Sequence, residues 1–239
     1  MAGYRRSRKS ANVATMTEMP RTIVFDVNET LSDLSPLAKA FEAEGLPPLA
    51  ARVWFAGILR DGFALTVTND NPGFAELAKD SLERLCADTR GGGDHAAAVE
   101  NIMTTLTSLP VHDDVVPGVE ALSHQAELVT LSNGATSVAD GLFERAGIRG
   151  HFARLLSVAD APVWKPGNSA YQYAAMELGR QTQEMLLVAV HPWDIHGAHR
   201  AGLRTAWINR TGTSYPEYFD APDLEVVSLL DLAGAIRAT

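Results

Sequence analysis

With Cys86 as its single cysteine in 239 residues, the chain has no internal disulfide framework open to it, which fits a reducing cytoplasm. Nowhere does an apolar run reach the roughly 18 residues that a membrane span requires. Basic residues are scarce, 20 against 29 acidic ones for a formal net charge of -9, and phosphate binding needs a basic face, so a nucleic-acid partner is argued against. Four of the 20, Arg5, Arg6, Arg8 and Lys9, fall in the first 17 residues, where there is no acid; the other 16 against 29 leave the body at -13. This basic start lacks the apolar stretch of about 7–15 residues of a secretory signal. Residues 1–20 therefore read as a disordered extension, with Met16 or Met19 as alternative starts. No internal repeat is present, and Gly91-Gly92-Gly93 is the sole low-complexity patch. The whole chain, 46% hydrophobic and 21% charged, suffices for a full core, either as one large domain or as a core with a smaller insert.

An apolar strand over 22–26 runs into Asp26 and leaves by a polar turn, Thr30-Leu31-Ser32-Asp33, toward Pro36. From there to about Pro110 no strand is expected. Helix-period segments lie near 36–44, 49–67, 72–88 and 95–107, broken by Gly45-Leu46-Pro47-Pro48, Asn69-Asp70-Asn71-Pro72-Gly73 and the triple glycine. After Pro117-Gly118, βα alternation is expected: helix 118–127, strand 128–131, helix 135–146, strand 154–158, helix 168–178, strand 185–190, helix 194–201, strand 204–208, strand 225–228 and a last helix. Strands separated by such helices imply an α/β fold, a parallel sheet with helices on both faces. Residues 21–35 and 111–239 form the core in this reading, and 36–110 an all-helical insert.

Three strings carry reactive groups at or just past strand ends, where ligands bind in open α/β sheets: Phe25-Asp26-Val27-Asn28-Glu29-Thr30-Leu31, Leu131-Ser132-Asn133-Gly134 and Val163-Trp164-Lys165-Pro166. Chain order supplies a carboxylate, then a hydroxyl and amide, then an ammonium. A strand-end Asp surrounded by backbone amides, a hydroxyl and an ammonium stays ionised and is suited to act as a nucleophile.

The order of these strings, followed by Leu156-Ser157-Val158, Pro192-Trp193-Asp194 and Trp207-Ile208-Asn209-Arg210-Thr211-Gly212, resembles the haloacid dehalogenase superfamily, and within it the L-2-haloacid dehalogenase (type II) branch, over about residues 22–230. The resemblance implies a Rossmann-like core with a helical cap, a homodimer, no cofactor and a small haloacid substrate. It also implies that Asp26 displaces halide from carbon 2 with inversion to give an aspartyl ester, which water then cleaves. Lys165 would hold the Asp26 charge, Thr30 would bond near the nucleophile, and Ser132 with the amides after Asp26, at Val27 and Asn28, would grip the substrate carboxylate. Asn133 would face the halide, and Phe55 and Trp193 would line the pocket. Asp194 would orient Lys165 or its loop. The superfamily's phosphatases carry a second Asp in D-x-D-x-T and a later Gly-Asp-x-x-x-Asp; this chain has Asn28 and Val190 at those points, so no metal site is expected and no acid stands ready for an alkoxide leaving group.

Three departures stand out against that branch: Phe55 where a cap Arg is usual, flanked by Arg52 and Arg60; Asn28 for Tyr; and His191 for Asn. Because His is the side chain best poised to take a proton from water near neutral pH, and a carboxylate partner raises its basicity, Glu29 and His191 are candidates to activate the hydrolytic water. Bland readings attach to His112, Asp113 and Asp114 as a solvated turn at the cap hinge, and to His196 and His199 as helix residues without further zinc ligands. Val53, Trp54, Ile58, Leu59, Phe63 and Leu65 are expected to form cap core. Two alternatives stay open beside metal-free dehalogenation of short L-2-haloalkanoic acids to D-2-hydroxy acids: a Mg²⁺-dependent phosphatase of the same superfamily, and a catalytically silent small-acid binder.

Overall fold

The computed structural model describes residues 20–237, and the reading of 1–20 as an extension falls almost wholly outside them. Six strands, β1 (Thr22–Phe25), β2 (Glu127–Ser132), β3 (Phe152–Ser157), β4 (Met185–Ala189), β5 (Arg204–Ile208) and β6 (Leu224–Val226), form one parallel sheet in the order β3-β2-β1-β4-β5-β6. The chain steps outward from β1 through β2 to β3, then returns to the other side of β1 for β4. This reversal opens a crevice past the carboxyl end of β1, the topological switch point of such sheets.

Each inner strand is buried on both faces, which is why the strands read as near-continuous apolar runs. Val24, Val129, Leu131, Leu187 and Trp207 face one cluster, whereas Ile23, Phe25, Leu128, Val188 and Ile208 face the other. Helices α5 (Val115–Ser123), α6 (Thr136–Arg145) and α9 (Leu229–Arg237) cover the second face, and α7 (Asn168–Leu178) and α8 (Pro192–Arg200) the first. Between β1 and α5 lie α1 (Pro36–Ala43), α2 (Pro48–Val67), α3 (Phe74–Arg90) and α4 (Ala96–Thr107), which pack on one another and continue the first cluster through Phe41, Trp54 and Ile58. No helix among the described residues is long and apolar enough to cross a membrane.

The helical insert is fastened to the sheet at a particular place. Trp164 donates from its indole N–H to Pro72 O (3.0 Å) and stacks on Phe74 at 5.8 Å. Asn71 donates to Val158 O and Ala161 O at 3.1 and 2.8 Å. A Cβ at Gly62 would lie 2.4 Å from the Trp164 ring, so α2 approaches that indole as closely as it does only because Gly62 carries none. The residue bolted down by the insert is the immediate neighbour of Lys165.

Several element boundaries differ from expectation. Helix α5 begins at Val115, not 118, because Pro117 sits in the first turn, where its missing N–H costs nothing. Helix α8 likewise starts at Pro192 rather than 194. The last strand ends at Val226, since Ser228 turns to cap α9, its Oγ accepting from Asp231 N at 3.1 Å. An antiparallel bridge, Ser32 with Val111, ties together the two chain segments that lead into and out of the insert.

Gly118, in the middle of α5, allows α9 to pack directly on that helix: a Cβ there would lie 2.3 Å from Leu229 Cβ and 3.2 Å from its carbonyl carbon. Alanine in place of a helical glycine ordinarily stabilises by about 1 kcal/mol, yet overpacking against backbone costs about 1–3 kcal/mol. Gly118→Ala is therefore expected to lower stability, read as a reduced urea midpoint with an unchanged slope.

Candidate active site

Asp26 follows β1 directly and is 3% exposed. Its Oδ1 accepts from Lys165 Nζ at 2.9 Å and its Oδ2 from Thr30 Oγ1 at 2.7 Å. The Thr30 hydroxyl in turn accepts from Val190 N at 3.1 Å, which leaves its proton to point at Asp26. Lys165, 0% exposed, also donates to Asp194 Oδ2 at 2.6 Å, and Asp194 Oδ1 accepts from the Tyr171 hydroxyl at 2.6 Å. A line of four groups thus runs from Thr30 through Asp26 and Lys165 to Asp194, closed by Tyr171.

Burial alone would push the Asp26 carboxyl up, but the Lys165 ammonium, His191 and the two hydrogen bonds outweigh it and hold the group below its ordinary value of 3.8. Asp194 moves the other way: burial and the neighbouring Asp26 charge raise it despite Lys165 and Tyr171. Burial opposes the Lys165 charge, yet Asp194 and Asp26 together raise it above 10.5. Of two carboxylates sharing one ammonium, Asp26 is the more firmly ionised.

His191 ends the loop after β4. Its Nε2 lies 3.2 Å from Asn28 O, to which it donates, 3.6 Å from Glu29 Oε2 and 3.8 Å from Asp26 Oδ2. The last two separations exceed hydrogen-bond length and are electrostatic proximities. The imidazole stacks on Trp193 at 4.9 Å, and Phe63 meets the same indole at 4.9 Å from α2. Glu29 itself occupies the left-handed region at φ 61°, uncommon for a residue with a side chain, and its carboxylate is 40% exposed.

Glu29, His191 and Trp193 line a cleft of about 950 Å³ between the insert and the carboxyl ends of β4 and β5, with Phe55, Arg52 and Arg210 also on its wall. Phe55 is 3% exposed, its ring 5.9 Å from Phe74, so it is both insert core and cleft wall. Ser132 Oγ accepts from Gly134 N at 2.9 Å, which leaves the hydroxyl proton for an outside acceptor. A Cβ on Gly134 would fall 3.3 Å from Ser132 Oγ and 3.5 Å from Asn28 Nδ2, so the two side chains converge over that glycine. Among the described residues, the N–H groups of Val27 and Asn28 have no protein acceptor.

Asp26, Thr30, Lys165, Asp194, His191 and Glu29 are thus brought together, and Trp193 stands beside them. The Val27 side chain is turned into the second core cluster, which leaves its backbone amide, the group expected at the site, facing outward from the core. One residue takes a position other than that expected from sequence. The Asn133 carboxamide, expected at the halide, instead accepts from Lys165 N at 3.0 Å and donates to Lys165 O at 3.2 Å. Its geometry suits it to orient the lysine. Tyr171 lies on the apolar face of α7 and reads as core in the sequence; its one sequence signal is that it sits in the first turns of the helix that follows Lys165. His112 and Asp114 are not a solvated turn: His112 Nε2 lies 2.9 Å from Glu29 O, while Asp114 accepts from Arg210 (2.6 Å) and from Leu229 N (2.8 Å).

A parallel sheet with its buried carboxylate–ammonium pair at the switch point, overlain by a helical insert, is the arrangement of a Rossmann-like hydrolase with a helical cap. The family model for haloacid dehalogenase-like hydrolases matches residues 20–202, and the chain belongs to that family. It is 31% identical to the (S)-2-haloacid dehalogenase of Pseudomonas sp. (strain YL), over 87% of this chain and 90% of that one. It is 28% identical to haloacetate dehalogenase H-2 of Moraxella sp. (strain B), over 85% and 92%. The crystal structure of the Xanthobacter autotrophicus L-2-haloacid dehalogenase with chloropropionic acid covalently bound superimposes with a TM-score of 0.82 at 23% identity, covering 92% of this chain and 100% of that one, and shares its fold.

Two outcomes are expected. Tyr171→Phe removes the hydroxyl donor from a buried carboxylate, which costs about 1–3 kcal/mol in chemical denaturation and raises Asp194 further, weakening its hold on Lys165. The pH dependence follows from the signs. A depressed Asp26 is ionised, and contributes its stability, above the ordinary carboxylate range, losing it only as pH falls through the lowered value; a raised Lys165 stays charged until pH climbs past 10.5. A first-turnover burst that uses this pair is expected to be flat between about pH 5 and 9.

Proposed function

We propose that the protein is a metal-independent hydrolase of carbon–halide bonds, converting short L-2-haloalkanoic acids to D-2-hydroxy acids and halide. The observation that carries this reading is the Asp26 carboxylate, held ionised between Lys165 at 2.9 Å and Thr30 at 2.7 Å with His191 3.8 Å away. The names of the relatives at 31% and 28% identity support the same reaction class. One Asp26 oxygen attacks carbon 2 from the side opposite the halogen; the C–O bond forms as the C–X bond breaks, and halide leaves with the electron pair and needs no acid. Lys165 holds the carboxylate in place for this attack, while the free Val27 and Asn28 amides and the Ser132 hydroxyl receive the substrate carboxylate.

Water then attacks the Asp26 carbonyl carbon; the Glu29 carboxylate of the His191–Glu29 pair takes its proton, since His191 Nε2 already carries one to Asn28 O, and returns it to the alkoxide oxygen as the tetrahedral intermediate expels the 2-hydroxy acid, after which the Asp26 carboxyl gives up the second water proton. One proton is released overall, and Asp26 keeps an oxygen from water. The residues argue against the phosphatase reading. An ammonium fills the space between the two surviving carboxylates, and Asn28 and Val190 offer no further ligand charge. A homodimer acting in the cytoplasm belongs to the same proposal.

Excess enzyme mixed with L-2-bromopropionate and EDTA in H₂¹⁸O is expected to release bromide and to place ¹⁸O in the Asp26 peptide after one turnover. Halide release with no label in that peptide would overturn the reading. In His191→Ala and Glu29→Gln variants the ester is expected to persist as an adduct in intact-protein mass spectra; normal turnover in both removes the pair from the mechanism.

A further inference from the structure

The turn after Asp26 is gripped in an unusual way. Three successive carbonyl oxygens each accept from a different basic side chain: Asn28 O from His191 Nε2 at 3.2 Å, Glu29 O from His112 Nε2 at 2.9 Å and Thr30 O from Arg210 Nη2 at 2.9 Å. The donors come from three separate segments: the loop after β4, the segment returning from the insert, and the loop after β5. His191 and Arg210 hold the outer two carbonyls; only His112 holds the one between them.

That middle carbonyl belongs to the residue at φ 61°. An L-residue in the left-handed region relaxes out of it unless its surroundings over-determine the conformation. Rotation about the Glu29 Cα–C bond turns its carbonyl, so a donor fixed at 2.9 Å sets the orientation of that peptide and, with it, the direction in which the Glu29 side chain leaves the backbone toward His191. His112 is itself anchored. Its N–H donates to Leu31 O at 3.1 Å, the preceding residue bridges Ser32, and Asp33 N donates to Pro110 O at 2.8 Å. The ring therefore projects from the point where the insert's exit and return segments are stitched together.

We infer that His112 is a positioning residue for ester hydrolysis: by holding Glu29 O it keeps the Glu29 carboxylate within range of His191 when water attacks the Asp26 ester. This rests on the proposed dehalogenase reading and adds a residue that touches neither the substrate nor Asp26. Because the Asp26–Lys165 and Asp26–Thr30 bonds and the outer two carbonyl contacts do not involve His112, its loss leaves ester formation intact and slows only the second step.

The test follows one turnover of 2-bromopropionate by rapid acid quench, reading bromide for ester formation and intact-protein mass for ester decay. His112→Leu is expected to slow decay about tenfold, the weight of one hydrogen bond, with bromide release unchanged. His112→Gln, whose amide N–H can reach Glu29 O, restores decay. In a Glu29→Gln background, His112→Leu is expected to add no further slowing, because its effect passes through that carboxylate. If His112→Leu fails to fold, His112→Asn, whose amide stops short of Glu29 O, replaces it. Decay at the wild-type rate, or slowing that persists undiminished in the Glu29→Gln background, overturns the role of His112 alone. If the wild-type protein frees no bromide, the dehalogenase reading falls and this inference with it.

Discussion

The structure depends on keeping one ammonium dry. Lys165 Nζ has no exposed surface and sits 2.9 and 2.6 Å from the Asp26 and Asp194 carboxylates. Removing such a charge from water costs several kcal/mol, and attraction repays this only when geometry is good and the remaining hydrogen-bond capacity is met. Both conditions require distant parts of the chain. Asp26 comes from the first strand, Asp194 from α8 and Tyr171 from α7, while Asn133 holds the lysine's own peptide from both sides. The sheet must be fully assembled before the lysine can be buried, so the site and the fold form together.

The insert takes part in that assembly. Trp164, next to Lys165, is packed under Gly62 and Phe74 and bonded to Pro72, so the wall of the cleft and the segment carrying the ammonium share one packed unit. On the other side, His112 and the Ser32–Val111 bridge connect the insert's two crossing segments to the turn after Asp26. Helices that cover the crevice are thereby fixed to both flanks of the carboxylate.

Much of this was legible in the residues. Both periodicities, 3.6 through the insert and short apolar runs beyond it, separated helix from strand, and the 168–178 and 204–208 elements fall where expected. Strand-end polar strings placed Asp26, Ser132 and Lys165 on one edge because parallel strands put all their carboxyl ends on the same side. The illegible part is of a different kind. Tyr171 reads as an apolar-face aromatic, and nothing local tells whether its hydroxyl finds a carboxylate. Asn133 lies next to Ser132 in sequence, yet its amide is used by a peptide 32 residues away. Pro117 looks like a boundary and is a first-turn residue. Periodicity reports which face is buried; it does not report which buried polar atoms meet.

The charge balance of the site bears on how an anionic acid would enter. Two carboxylates against one ammonium leave the buried set at -1 while both are ionised, and Glu29 adds another negative group at the cleft wall. On the proposed reaction, a 2-haloacid anion therefore meets repulsion from the carboxylate assigned to attack it. Lys165 is already committed to two partners, so it cannot double as the substrate's counter-ion. Beside the Arg52 and Arg210 guanidiniums on the cleft wall stand neutral donors, the unpaired Val27 and Asn28 N–H groups and the Ser132 hydroxyl, which favour an anion without neutralising Asp26. The raised Asp194 eases the conflict further, since the ammonium's field then falls mainly on the nucleophile. On the proposed reaction, with Phe55 where a cap guanidinium is usual, recognition joins these oriented dipoles to the Arg52 charge on the cleft wall, while Lys165 stays with the carboxylate that attacks.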